Sequence, residues 1–108
     1  MISVVITKHD NKYINVTLDG HAGFADKGQD IVCAAVSALV INTFNSIEQF
    51  TDDGFKCDAA EDGGYMSMDF SGDLSDKSIL LLDSMLLGLD NIQKQYGDEY
   101  LSLLYKEV

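Results

Sequence analysis

The spacing of apolar and polar positions changes along the chain, and each change marks a new element. Ile2 to Lys8 and Lys12 to Leu18 are rich in β-branched side chains, which suit a half-buried pleated strand. His9-Asp10-Asn11 stands between them as a turn, so this region predicts a β-hairpin. From about Asp30 to Phe50 the pattern becomes helical. Val32, Cys33, Val36, Leu39, Val40, Phe44 and Ile47 recur close to the helical period, and Asp30 stands where an N-cap belongs. A second hairpin follows, Gly54 to Ala60 and Tyr65 to Phe70, around a turn at Glu61-Asp62-Gly63-Gly64 whose glycines supply positive φ. Ser75 or Asp76 then opens a second helix that runs to about Tyr96. The last ten residues suit a short helix or a strand equally.

The order ββαββα predicts an α+β fold of two layers in a single domain over residues 1–108. One mainly antiparallel four-stranded sheet is expected, with both helices on one face. The second helix carries apolar residues around more than half its circumference, from Ile79 through Leu82, Met85 and Leu89 to Ile92. Such a helix needs cover on nearly all sides, so a homodimer is expected. Ile79 to Leu89 is broken by Asp83, Ser84 and Gly88 and is too short to span a bilayer. The N-terminus has neither the basic opening nor the long apolar run of a signal peptide. A soluble, cytoplasmic protein without membrane association is the expectation.

Charge narrows the possible partners. The chain has a formal net charge of −11, with seven Lys and no Arg. Such a surface repels phosphate and lacks the guanidinium fork that phosphate recognition favours, so direct nucleic-acid binding is not expected. A basic protein is the natural complement. The two cysteines are not in CxxC spacing, and only His9 and His21 are available to join them as soft ligands. Free thiols are expected, with no metal and no other cofactor.

The chemistry concentrates between Gly20 and Ser37. With Asp30 as cap, Cys33 stands at N3, where free N–H groups and the positive helix end favour a thiolate. The same N–H groups suit an oxyanion. His21 is joined to this helix by a glycine-rich loop, within plausible reach of the sulfur as general base. Taken alone, these residues also suit a packed core cysteine and an exposed loop histidine. Cys57, between Phe55 and Ala59, reads as core, and His9 as a solvated turn residue.

Gly20-His21-Ala22-Gly23, followed by Gly28-Gln29-Asp30-Ile31-Val32-Cys33-Ala34-Ala35-Val36-Ser37, resembles the signature of the ribosomal-processing cysteine protease family, Prp. The resemblance implies a small α/β homodimer with a mobile loop between a catalytic His21 and Cys33. It further implies a basic substrate, the precursor of large-subunit ribosomal protein twenty-seven, which loses a short N-terminal extension after an aromatic residue. An apolar cleft near the dyad follows, with Phe24 a guess for its lining. Asp30 either orients His21 or caps the helix. Ser37, one turn after Cys33, and Gln29 are possible supporting residues. A non-catalytic ribosomal-protein-binding module and a thiol redox sensor, with Cys57 or a subunit mate resolving Cys33, are the alternatives.

Overall fold

The computed structural model describes residues 1–20, 27–60 and 64–108, the side chains of 27–30 excepted. The elements are β1 (Ile2–His9), β2 (Lys12–Asp19), α1 (Lys27–Phe50), β3 (Phe55–Ala59), β4 (Tyr65–Phe70), α2 (Asp76–Tyr96) and β5 (Leu101–Glu107). Strict alternation makes β1 two-faced. Ile2, Val4 and Ile6 are buried, while Ser3, Val5 and Thr7 turn to the other side. The hairpin turn is tighter than expected: Asp10 (φ 48°) and Asn11 (φ 65°) alone make it, and His9 pairs with Lys12.

The sheet differs from the expectation in one strand. Its order is β3-β4-β2-β1-β5, with β5 parallel to β1 and the other pairs antiparallel, so it is five-stranded and mixed. The final segment is leucine-rich and locally ambiguous, and partners decide its state. The Ile2 N–H donates to the Tyr100 carbonyl at 3.0 Å, and the Val108 N–H to the Lys8 carbonyl at 2.9 Å. Gln93 Nε2 donates to the Leu101 carbonyl at 2.9 Å, tying α2 to the same strand. Tertiary pairing overrides propensity here.

One buried cluster joins alternate residues of the strands to both helices, so both cover one face of the sheet. α1 supplies Val32, Val36, Val40, Phe44 and Ile47, and α2 supplies Leu82, Met85 and Leu89. From Ile31 to Phe50, α1 is long and apolar enough to cross a membrane by length and composition. The expectation from sequence weighed Ile79 to Leu89 of α2 as a span and not this stretch. The stripe packed on the sheet supplies part of that apolar character, and Ile31, Ile41 and Phe50 are exposed. The helices approach closely where Gly88 meets Leu39: a methyl group on Gly88 would stand 2.6 Å from Leu39 Cδ2. On the outer side of α2, Leu80 and Leu87 are 69% and 65% exposed, so within one chain that helix is not covered all round. On the open face of the sheet β2 and β4 carry a polar network. Asn15 Nδ2 donates to Ser67 Oγ at 3.0 Å and to Asp69 Oδ1 at 2.5 Å, and Thr17 donates to Asn15 Oδ1 at 2.6 Å.

α2 starts where expected, on Ser75 as N-cap, whose Oγ accepts from the Ser78 N–H. Asp53, from the α1–β3 connection, braces that cap. Its carboxylate accepts the Ser75 N–H at 3.0 Å, the Ser75 hydroxyl at 2.7 Å and the Ser78 hydroxyl. The Ser78 hydroxyl first, then the two Ser75 donors, hold the Asp53 carboxyl below its ordinary 3.8. A group depressed on folding stabilises above its unfolded pKa, and that contribution fades as pH falls through the lower folded value. Ser75→Ala is expected to cost about 1 kcal/mol. Thermal melts of Asp53→Asn should lie below wild type at neutral pH and converge on it as pH falls below about 4; a gap that stays constant with pH would contradict the ionic brace.

Candidate active site

β2 delivers the chain to the site through a position that only glycine suits. Gly20 has φ 113°, and a Cβ there would run into the Met1 carbonyl oxygen. Its N–H donates to the Gly64 carbonyl at 2.8 Å, which fixes the end of β2 against the start of β4. The chain continues into His21 and Phe24, which lie outside the described residues, as does the turn at Glu61-Asp62-Gly63. The motif sequence marked Gly20 as part of a signature. It did not show that Met1 crowds this position, because that contact is non-local.

Two expectations about α1 need correction. The helix begins at Lys27, so Asp30 lies within its first turn and is not the N-cap. Cys33 is then the seventh helical residue, counting Lys27 as the first, and not N3. The free N–H groups of a helix end at its first turn, and in a regular helix the N–H of a seventh residue binds the carbonyl four residues back. The physical reason for the misreading is plain. Apolar periodicity begins only where the helix meets the core, and Lys27-Gly28-Gln29 precede that contact.

Helical geometry places the thiol. Cys33 is half-buried at the margin of the core, and Ser37 is half-buried one turn later, about 40° around the axis. Glu48 lies about 60° around from Cys33 in the same sense, and Leu39 about 120° in the other. Leu39 meets Gly88 of α2, whereas Glu48 lines a cavity with Phe55 and Cys57 of β3. The flank bearing Cys33 and Ser37 therefore turns from α2 toward β3. Gln29 and Asp30 occupy the first turn of the same helix.

Cys57 is not core, as its spacing suggested, but exposed. β3 is an edge strand that α1 leaves uncovered, so a core-facing parity does not bury it. Partial desolvation, then the negative charges of Asp58 and Glu48, push its thiol up. Glu48 lies about 22 Å along the axis from Cys33. Cys57, sharing the Glu48 cavity, is thus poorly placed to close a disulfide with Cys33. His9 is exposed but engaged: Nδ1 lies 2.5 Å from the Val108 carbonyl oxygen, and the Asp10 N–H donates to Glu107 at 2.9 Å. Ligand atoms of His9, Asp10 and Glu107 lie within 4.8 Å of one another, an arrangement that pins the hairpin turn to β5.

The family model for cysteine protease Prp matches residues 1–101. The ribosomal processing cysteine protease Prp of Bacillus subtilis (strain 168) is 36% identical over 105 residues, covering 91% of this chain and 92% of its own. The chain belongs to the Prp family. It is a cysteine peptidase. The Staphylococcus aureus (strain Mu50) Prp is 35% identical over 107 residues, covering 98% of this chain and all of its own, 100%. The crystal structure of Prp from S. aureus in complex with a substrate peptide superimposes with a TM-score of 0.90 at 34% identity, over 98% of this chain and 100% of that one. SMU.848 from Streptococcus mutans gives 0.88 at 34% identity, over 100% and 96%. A further structure of the S. aureus Prp holds a covalently linked product peptide.

Two outcomes follow for this Prp. Gly20→Ala should destabilise the fold by about 1–3 kcal/mol, read as a lower melting temperature; an unchanged melt would show that Met1 yields freely. In a Cys33→Ser protein, iodoacetamide should label Cys57 appreciably only above the ordinary thiol range. Rapid labelling at neutral pH would contradict the acidic surroundings assigned to it.

Proposed function

We propose that this Prp is an endopeptidase that removes the short N-terminal extension of large-subunit ribosomal protein twenty-seven, with Cys33 as nucleophile and His21 as base. The observation that supports this most is the half-buried Cys33 on the open flank of α1, in a fold shared over nearly its whole length with a Prp solved around a substrate peptide. His21 takes the thiol proton as sulfur attacks the scissile carbonyl, then returns it to the leaving amine. The resulting thioester is hydrolysed by water, with His21 again as base.

Ser37, sharing the flank, is a supporting residue in this reading. Asp30 is freed from the capping role by the helix bounds, and orienting His21 is the part we assign it. Gln29, in the first turn, is assigned to the oxyanion together with the free N–H groups there. The −11 charge suits a basic ribosomal protein and opposes direct nucleic-acid binding. A cytoplasmic homodimer belongs to the same proposal, since Leu80 and Leu87, with Ile31 and Ile41 of α1, offer apolar surface for a second copy.

Incubation with the ribosomal protein precursor, followed by mass spectrometry, tests the assignment. Wild type should trim the extension. Cys33→Ala and His21→Ala should each lose about a thousandfold or more in rate with their melts preserved. Normal trimming by Cys33→Ala would end the proposal.

A further inference from the structure

His9 ends β1, Asp10 opens the hairpin turn and Glu107 ends β5, and the sheet brings the three together. The Val108 N–H donates to the Lys8 carbonyl at 2.9 Å, which carries the parallel ladder up to the turn. Asp10 has φ 48°, and its N–H donates to Glu107 Oε1 at 2.9 Å. The Glu107 carboxylate is thereby held beside the turn by one of its oxygens. Among the described residues, this is the one place where three groups able to ligate a metal converge, their ligand atoms within 4.8 Å of one another. Spacing along the chain concealed the set, since Asp10 and Glu107 are 97 positions apart.

The state of His9 decides what these groups can hold. Nδ1 lies 2.5 Å from the Val108 carbonyl oxygen, which can only accept, so Nδ1 carries a hydrogen. In the neutral ring Nε2 then presents a lone pair, and Asp10 Oδ2 lies 3.3 Å from it. Two acceptors thus face one another, with Glu107 alongside. A proton on Nε2 would join His9 to Asp10 and leave the second carboxylate uncompensated. Among the described residues, neither Asp10 nor Glu107 pairs with a lysine. A divalent ion takes the lone pair and balances both carboxylates. The separation suits it, because ligands about 2.0–2.1 Å from a tetrahedral zinc stand about 3.3–3.4 Å apart. A backbone carbonyl on the far ring nitrogen is also a common orienting partner of a metal-bound imidazole. The imidazole favours zinc and its neighbours over magnesium and calcium, which prefer oxygen throughout.

We propose that His9 Nε2, Asp10 and Glu107 bind one divalent transition-metal ion of the zinc class, with water in the remaining position. The ion ties the β1–β2 turn to β5 and so clamps the parallel pair whose partners are distant in sequence. It sits at the end of β2 remote from Gly20, which makes it structural and gives it no part in peptide hydrolysis.

The test uses the full chain carrying Cys33→Ala, Cys57→Ser and His21→Ala, which removes both thiols and leaves His9 the only histidine. Titration with zinc chloride, followed by calorimetry and by the proton resonances of the His9 ring, should show one site per chain, with those resonances moving or broadening as it fills. Zinc at a hundredfold excess over its Kd should raise the melting temperature by about 10 °C. Magnesium at the same concentration should not. Adding His9→Ala or Glu107→Gln should weaken zinc binding about tenfold or more and remove the gain in melting temperature, with the metal-free melts preserved. Where either variant melts early, the His9 resonances of its parent decide. Zinc that leaves those resonances in place, equal affinity after His9→Ala, or a magnesium effect equal to that of zinc overturns the proposal.

Discussion

Burial of one stripe of α1 sets the orientation on which the site depends. Val32, Val36, Val40, Phe44 and Ile47 are seated together between the sheet and α2. Each buried side chain of this size contributes about 1.5–3 kcal/mol. Rotating the helix by one residue, about 100°, would expose most of the stripe, a loss comparable with the whole stability of a small domain. Cys33 follows Val32 directly, so its bearing toward β3 is a by-product of packing and does not rely on the connecting loop.

Where local pattern and tertiary context agreed, the fold was legible. The two hairpins and both helices follow from period and punctuation, down to Tyr65–Phe70 as β4 and the start of α2 at Ser75 or Asp76, of which Ser75 is the cap. Three features were hidden for related reasons. The start of α1 is polar because its first turn precedes the core. β5 is a strand because β1 offers a free edge. Cys57 has core parity in an edge strand that α1 leaves uncovered. In each case the deciding contact lies far away in sequence. The candidate chemistry was proposed from the linked Gly20-His21 and Cys33 motifs, but the side of α1 on which the thiol sits required the wheel positions of Leu39 and Glu48 together with their partners.

The two faces of the sheet divide the work. One holds the core, and the other is a hydrogen-bonded ladder of Asn15, Thr17, Ser67 and Asp69 that keeps it hydrated. The proposed site gathers at neither face but at one end of the sheet, where α1 and the end of β2 carry the candidate residues.

The parallel pairing of β1 with β5 bears on how the molecule reaches its final state. Ile2 is opposite Leu101 and Lys8 opposite Glu107, partners about a hundred positions apart in the chain. Closing so wide a contact is entropically slow, and contacts of this kind delay folding. During synthesis the hairpin of β1 and β2 emerges early, yet one side of β1 stays unpaired until the residues of β5 have left the ribosome. Completion of the sheet therefore waits for β5, and the interval before it is when β1 is most open to pairing with the wrong chain.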